Sequence, residues 1–421
     1  MQYLLFILSL TILLPVLVHA SSPIVTITNG TVQGVHSSEW NQDFFLGIPY
    51  AQPPLSDLRF RWPQPINTSF QGVFDASRYG YSCYQYGSNF NLSEDCLTIN
   101  VVRPSGHEDR KLPVLVWIYG GGLTLGSTAD PQYNLSGIVE TSTLTDRPFI
   151  ALACLRKLSS EALFVSNYTV VWNPVVDGDF LTDYPSSMLE QGKFIRVPLI
   201  TGANTDEGVS FSVENLNTTT DIYNSLFYWR NYALSPSSIR RLLQLYPNQP
   251  ATEPPYSNHA NVTYPAFGQQ WRRSAAIGGD LVMIAQRRRM AELYSEAGQK
   301  VFSYRFDTPL YNATIPGSVK HFDNVMFSFQ NISGAMGPLP QYHYYRTLST
   351  GIGKLYANFV GIHNPNGVNA TNGTGLPYWP QYSIDTPTNL VLNATASLVE
   401  ADTFRSEGIS FINSIWRELL A

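Results

Sequence analysis

The chain has 421 residues, of which 44% are hydrophobic and 13% aromatic, and its net charge is −5 at pH 7. A chain of this size can bury a large core, and we interpret it as one large domain because no Gly/Ser linker or charge block divides it. Lys and Arg are scattered except for Arg287-Arg288-Arg289, so no broad basic surface is available for nucleic acid. We interpret the three arginines as the solvated face of a helix.

The first 20 residues carry an apolar run, Tyr3–Val18, followed by the small residue Ala20. This pattern predicts a secretory signal peptide at 1–20 and a secreted, extracellular protein. An uncleaved membrane anchor is the alternative, because no Lys or Arg precedes the run, although the run is short for a span. No other segment is apolar for long enough to cross a bilayer. Twelve N-x-[ST] sequons, spread from Asn29 to Asn393, favour a glycosylated surface.

Strands and helices are predicted to alternate along the chain. Asn29-Gly30 separates two β-rich runs, Ile24–Thr28 and Thr31–Val35, and predicts a hairpin. Such alternation of strands and helices indicates an α/β sheet. The later predicted elements are buried parallel strands at Val114–Ile118, Val197–Thr201 and Lys300–Phe306, a helix at Asp280–Ala297 capped by Gly298, a loop at Gly361–Gly375, a strand at Asn389–Leu392, and a helix at Thr403–Leu420 interrupted by Gly408.

Several motifs stand in the order that one family uses. Phe45–Ala51 reads FLGIPYA, Glu94–Leu97 reads EDCL, and Leu112–Leu123 is an apolar strand that runs into three glycines. Together they resemble the type-B carboxylesterase/lipase family. The resemblance implies an α/β-hydrolase fold, with a central, mostly parallel sheet flanked by helices, and a carboxylic ester hydrolase with a Ser-Glu-His mechanism. It implies a small-molecule or lipid ester as substrate and no cofactor, and it leaves the oligomeric state open.

The resemblance also implies roles for individual residues. Gly121 and Gly122 match the glycines whose backbone N–H groups form the oxyanion hole, although a strand-ending turn is the alternative. Glu207, in the segment TGANTDEG, matches the acid of the triad, although a strand-end Glu is ordinarily a solvated charge. His321 follows the acid along the chain and matches the general base, with Asn324 replacing the Glu of the family's H-x-x-E segment. No Cys/His spacing suggests a metal.

The nucleophile is missing from this pattern. No G-x-S-x-G occurs in the chain. Ser82 precedes the glycine loop, and Ser210 lies just past the acid without a strand-turn-helix setting, so neither fits. After Ala151 the sequence continues with Leu152, which resembles a segment that lies well beyond the serine turn in the family. We therefore expect residues 21–421 to form one carboxylesterase domain that is internally truncated near residues 151–152, with part of its central sheet absent.

Three cysteines remain after residue 20, namely Cys83, Cys96 and Cys154. Cys83 and Cys96 enclose a short polar loop, which an oxidising compartment would favour closing, and the resemblance places a disulfide at these two positions. Two free thiols are the alternative. Cys154 resembles half of a second family disulfide whose partner lies in the absent segment, so we expect it to be unpaired.

Two functions remain open. The first is a secreted carboxylic ester hydrolase whose present form is inactive because the serine is absent. The second is a non-catalytic, esterase-like binding or adhesion protein. The retained Glu207, His321 and glycines favour the first, because a binding scaffold needs no acid, base and oxyanion loop together.

Overall fold

The computed structural model describes residues 22–59, 61–85, 90–122, 125–144, 150–153, 176–179, 181–229, 232–257, 263–311, 313, 315–330, 342–368 and 373–419. The predicted signal peptide, Cys154 and Leu155–Val175 lie outside these residues. Within them the strands form three sheets flanked by helices.

A small sheet opens the chain. It contains β1 (Ile24–Ile27), β2 (Gly30–Gln33) and β5 (Val73–Asp75). β1 and β2 pair antiparallel across Asn29-Gly30, which confirms the predicted hairpin. β5 then pairs with β2 in parallel.

A five-stranded sheet follows, in the order β3-β4-β6-β8-β7. Its pairs are antiparallel except for β7 and β8, which run parallel. The strands are β3 (Val35–Ser37), β4 (Gln42–Pro49), β6 (Thr98–Pro104), β7 (Val114–Trp117) and β8 (Ile150–Ala153).

A four-stranded sheet carries the second half of the chain, in the order β12-β11-β10-β9. The pairs β9–β10 and β10–β11 are parallel, and β12 is antiparallel to β11. The strands are β9 (Leu199–Asn204), β10 (Val301–Phe306), β11 (Thr388–Leu392) and β12 (Leu398–Ala401), so strands around 197–201, 300–306 and 389–392 are confirmed with small shifts of their ends. The predicted full burial is wrong for β9, because its first four residues are only half-buried.

The helices cover the faces of these sheets and form the two largest apolar cores. One core lies between Ile222, Leu242, Ile277 and the C-terminal helices, and the other lies between β10, β11 and the long helix that contains Leu355. The helices are α1 (Ser136–Leu144), α2 (Pro185–Glu190), α3 (Thr219–Tyr228), α4 (Pro236–Leu245), α5 (Trp271–Gly279), α6 (Ala285–Glu296), α7 (Asp323–Ser328), α8 (His343–Ile362), α9 (Ser406–Ser414) and α10 (Trp416–Leu419).

Two strands at the open edges lack a neighbour on one side. β7 ends the five-stranded sheet and β9 ends the four-stranded sheet, and among the described strands neither has a second partner. Val114 and Val116 of β7 are 53% and 49% exposed, so the prediction of a fully buried strand is wrong there. Their exposure agrees with the expectation that part of the central sheet is absent, because an apolar run of this kind is typical of a strand buried between two neighbours.

Two predictions about helices need correction. Arg287 and Arg288 are not on a solvated face: they are 8% and 5% exposed, and both bind the buried carboxylate of Asp402. Gly408 does not interrupt the last helix, since it lies inside α9, and the break comes at Ile415. The helix predicted over 280–297 is present, with a π-helical turn at its start and Gly298 at φ 73° just after its end. Among the described helices, none offers an apolar stretch of the length that a transmembrane span needs.

Candidate active site

Glu207 and His321, which lie 114 residues apart in the chain, meet at the end of β9. The Nδ1 atom of His321 lies 2.7 Å from Oε2 of Glu207. The Glu207 side chain is 3% exposed, whereas the His321 side chain is 39% exposed. A buried carboxylate on Nδ1 orients the ring and leaves the other nitrogen, Nε2, for a reacting group, which is the arrangement that an acid–base pair requires.

The turn after β9 positions the carboxylate of Glu207. The backbone N–H of Asn204 donates to Oε1 of Glu207 at 2.7 Å, so each carboxylate oxygen has one partner. Glu207 begins a short 3-10 turn that packs against α5. A Cβ atom on Gly208 would overlap the carbonyl oxygen of Ala275, so only glycine permits this close approach.

The loop that carries His321 is attached to the same turn. Asn204 donates from its side chain to the carbonyl oxygen of Lys320 at 2.6 Å. Asp206 binds Val319 twice, since its backbone N–H donates to the Val319 carbonyl and its carboxylate accepts the Val319 N–H. These bonds hold His321 close to Glu207. The family motif predicted Glu207 and His321, but no sequence pattern pointed to Asn204 or Asp206, whose partners Lys320 and Val319 lie more than 100 residues away.

Two further carboxyl groups flank the pair. Burial raises the pKa of Asp206 to about 7, against the opposing effect of the Val319 N–H. Burial likewise raises the pKa of Asp323 to about 7, and the charges of Glu207 and Asp206 add to this shift. Both groups therefore change charge near neutral pH, within two residues of the acid or the base.

The glycine loop leaves the end of β7 with backbone angles that favour glycine. Gly121 has φ 141° and Gly122 has φ 60°. A Cβ atom on Gly121 would overlap the carbonyl oxygen of Leu125, so the loop depends on glycine at this position. Such a loop lets backbone N–H groups approach a substrate oxygen closely.

An aromatic cluster connects the strand that precedes the glycine loop to the segment after His321. Trp117, the last residue of β7, packs edge-on against Phe329, with ring centroids 4.5 Å apart. Tyr133 lies 6.2 Å from Phe322, the residue that follows His321. Phe322 has φ 80°, which turns the chain sharply after His321. The cluster therefore packs the five-stranded sheet against the loop that carries His321.

The disulfide loop holds the other end of the glycine loop. Cys83 and Cys96 are joined, with an S–S distance of 2.06 Å. The side-chain amide of Gln85 forms two hydrogen bonds with the backbone of Gly126. Nε2 donates to the Gly126 carbonyl at 2.9 Å, and Oε1 accepts the Gly126 N–H at 2.7 Å. The hydroxyl groups of Ser82 and Ser127 are 2.6 Å apart.

The two serines considered in the sequence analysis have other neighbours among the described residues. The hydroxyl of Ser82 is buried against Ser127. Ser210 caps the 3-10 turn that begins at Glu207. Within the same described ranges, no group of three or more His, Cys, Asp or Glu side chains could hold a metal ion.

A cavity of about 450 Å³ is lined in part by Asn204 and Asp206, in the turn after β9, but not by Glu207 or His321. Its charged walls are already paired within the chain, since Arg305 binds Glu400 and Arg287 binds Asp402. The acid–base pair and the glycine loop, rather than this cavity, therefore define the candidate site.

The carboxylate–imidazole pair and the glycine loop each follow a strand, which is where α/β-hydrolases carry groups of these kinds. The model of the carboxylesterase family matches residues 21–145 and 147–411. The chain belongs to the carboxylesterase family.

Individual relatives agree with this assignment. The chain is 24% identical to Lipase 2 of Geotrichum candidum over 552 aligned residues, covering 91% of this chain and 93% of that protein. It is 24% identical to Secreted lipase 1 of Botryotinia fuckeliana strain B05.10, covering 94% of each. A shorter stretch, 27% of this chain and 17% of the relative, is 41% identical to the acetylcholinesterase of Gallus gallus.

A solved structure shares the fold. The crystal structure of Aspergillus niger EstA matches with a TM-score of 0.79 at 20% identity, covering 96% of this chain and all of that one. The alignment with Lipase 2 of Geotrichum candidum is longer than the 421 residues of this chain, so some positions of that lipase face no residue here.

Proposed function

We propose that this chain is a form of a secreted carboxylic ester hydrolase that keeps the acid, base and oxyanion loop and lacks the serine, and that it therefore does not turn over esters through an acyl-enzyme. The observation that carries the proposal is the bond between Glu207 and His321 in a chain without G-x-S-x-G. The similarity to lipases over more than nine tenths of the chain supports the ester substrate.

Each retained part has a role in acyl transfer. His321 would take the proton of the attacking hydroxyl at Nε2, because Nδ1 is bound to Glu207. Glu207 would stabilise the imidazolium that forms, with its second oxygen held by the Asn204 N–H. The N–H groups of Gly121 and Gly122 would donate to the tetrahedral oxyanion. Only the attacking oxygen is lacking.

The expected loss of ester hydrolysis can be estimated from a serine protease whose nucleophile has been removed. Without the nucleophile, an oxyanion hole and substrate binding still leave a rate about 10³–10⁴ above that in water. Covalent trapping, however, needs the nucleophile itself. A phosphonate probe therefore separates an absent nucleophile from a weak one.

The test uses the expressed chain with a p-nitrophenyl short-chain ester and an organophosphonate probe. We expect no burst of p-nitrophenol and no stoichiometric labelling. Labelling of one serine per chain would contradict the proposal. In a chain restored with the absent segment and its G-x-S-x-G turn, activity is expected to return.

The restored chain also tests the acid and base. His321→Ala is expected to abolish the restored activity, whereas His343→Ala, which changes an exposed histidine at the start of α8, serves as the matched control. Equal activity of the two variants would remove His321 from the mechanism.

The absent serine motif also favours a second function, a non-catalytic binding or adhesion protein. In that case the restored chain would fold and remain inactive. For either function we propose secretion and N-glycosylation, on the strength of the signal-like N-terminus and the sequons. Glycosidase-sensitive material in the culture medium is the expected result, and retention of the unglycosylated chain in the cell would contradict it.

A further inference from the structure

Arg272 is a buried cation that binds the backbone of one short segment. It lies near the start of α5 and is 2% exposed. Its guanidinium donates to the carbonyl oxygens of three consecutive residues, namely Glu253, Pro254 and Pro255. Burying a charge costs free energy unless hydrogen bonds compensate for it, so Arg272 and these carbonyl groups stabilise one another. The arginine therefore fixes this segment against α5.

The next residue of the segment is bonded to the turn after β9. The backbone N–H of Tyr256 donates to Oδ1 of Asp206 at 2.9 Å, and the N–H of Val319 donates to Oδ2 at 2.8 Å. Asp206 is 1% exposed. One buried carboxylate thus joins the segment that contains Tyr256 to the loop that carries His321.

Arg272 also acts on Asp206 through its charge. Burial raises the pKa of Asp206 to about 7, and the charges of Arg305 and Arg272 oppose this rise. An ionised carboxylate accepts hydrogen bonds at both oxygens, whereas protonation turns one oxygen into a donor. Loss of the Arg272 charge would therefore favour the protonated form and weaken one of the two bonds that Asp206 accepts.

Residues 253–257 also pack directly against the loop of His321. Gly317 has φ 76°, and a Cβ atom there would lie 2.6 Å from Oγ and 2.9 Å from Cβ of Ser257. Glycine at this position permits the close approach. The segment that Arg272 fixes therefore supports the histidine loop at a second point.

Arg273, the next residue of α5, offers a comparison within the same helix. It is 4% exposed and donates to the carbonyl oxygens of Leu243 and Tyr246, both at 2.6 Å. Leu243 belongs to α4, and Tyr246 directly follows that helix. The two arginines agree in charge, in burial and in binding backbone carbonyl groups. Arg272, however, fixes the segment beside Asp206, whereas Arg273 fixes the end of α4.

We propose that Arg272 is a positioning residue for His321. Its bonds fix residues 253–257, and this segment holds the loop of His321 at two points, namely Asp206 and Gly317. The Nδ1 atom of His321 is thereby kept within reach of its carboxylate partner. The consequence for catalysis rests on the proposed function, whereas the effect on the position of His321 rests on these contacts alone.

The test follows the Nδ1 proton of His321 in the full chain. A proton held between an imidazole and a carboxylate gives a separate low-field signal in the NMR spectrum, and His321→Gln assigns this signal by removing it. We expect Arg272→Gln to lose the signal. Arg272→Lys, which keeps the charge and N–H donors, should retain it. Arg273→Gln is the matched control and should also retain it.

Amide hydrogen exchange decides the question independently of this signal. Exchange at residues 317–321 should speed up about tenfold in Arg272→Gln, because the loop loses hydrogen bonds, and should stay unchanged in Arg273→Gln. Unchanged exchange and an unchanged signal in a folded Arg272→Gln would overturn the proposal. Equal effects of the two variants on the loop would overturn it as well, because they would reflect a general loss of stability.

Asp206→Asn tests the next bond if Arg272→Gln does not fold. Both carboxylate oxygens of Asp206 accept backbone N–H groups, so an asparagine must turn its amino group towards one of them. We expect the signal of His321 to be lost and exchange at residues 317–321 to speed up. Persistence of the signal with unchanged exchange would overturn the proposal.

The restored chain separates positioning from catalysis. There Arg272→Gln should lower kcat with little change in KM, because the base acts in the transition state. If Arg272→Gln alters the histidine loop while the restored chain is inactive, the positioning role stands and the proposed function fails. If the loop is unaffected and the restored chain is active, the positioning role fails and the proposed function stands.

Discussion

Asp402 is the residue whose replacement should destabilise the second half of the chain most clearly. It is 4% exposed and accepts hydrogen bonds from Arg287 at 2.5 and 3.0 Å and from Arg288 at 2.8 Å. Asn389 and Tyr382 donate to the same carboxylate. Burial opposes its charge, but the two arginines outweigh burial and hold the pKa of Asp402 below its usual value.

The expected magnitude follows from what Asp402→Asn leaves behind. Arg287 and Arg288 would remain buried without their carboxylate, and the loss of one partner of a buried ion pair costs about 3–5 kcal/mol. The whole stability of a domain is about 5–15 kcal/mol. The variant is therefore expected to lose a large fraction of the free energy of unfolding.

Urea unfolding followed by circular dichroism measures this loss. Asp385→Asn is the control, because Asp385 is exposed and belongs to the same part of the chain; its midpoint should hardly change. A loss below about 1 kcal/mol for Asp402→Asn would show instead that the cluster behaves like a surface ion pair.

Three further predictions concern the site. The pKa of Asp323 is raised in the folded state, so its contribution to stability is present below about pH 4 and is lost as pH rises through 7, by about 4 kcal/mol at most. Asp323→Asn should therefore gain stability relative to the unmodified chain between pH 5 and 8. A difference in stability that stays constant over this range would contradict the prediction. Gly121→Ala should destabilise the chain by more than about 1 kcal/mol, as measured by thermal unfolding. Gly120→Ala should not, because a Cβ atom at Gly120 would have no other atom within 4 Å. Equal effects of the two substitutions would count against the loop geometry. Non-reducing peptide mapping should find Cys83 joined to Cys96 and Cys154 free, and a bridge from Cys154 to either would exclude this pairing.

The fold was largely predictable because the family motifs occur at the ends of strands. The hairpin at Asn29-Gly30, β10 and β11 followed from turn chemistry and apolar runs. The burial of β7 was not predictable in the same way. An apolar run indicates a strand made for two neighbours, and periodicity cannot show whether both neighbours are present.

Contacts between distant residues account for the other differences. Arg287 and Arg288 resemble a solvated helix face locally, and only the fold brings Asp402, about 115 residues later, against them. The motif match predicted Glu207 and His321, whose roles remain predictions. The bonds from Asn204 and Asp206 that hold these two residues together depend on the arrangement of loops, which no local pattern encodes.

The hydrogen bonds between Gln85 and Gly126 make the glycine loop sensitive to a condition that does not affect the Glu207–His321 pair, namely reduction of the disulfide. The glycine loop is bound by Gln85, which lies in the segment that the disulfide fixes, so its position depends on oxidised cysteines. The Glu207–His321 pair instead depends on hydrogen bonds and on the close packing of Gly208 against Ala275. A reducing agent should therefore loosen the glycine loop while the Glu207–His321 pair persists.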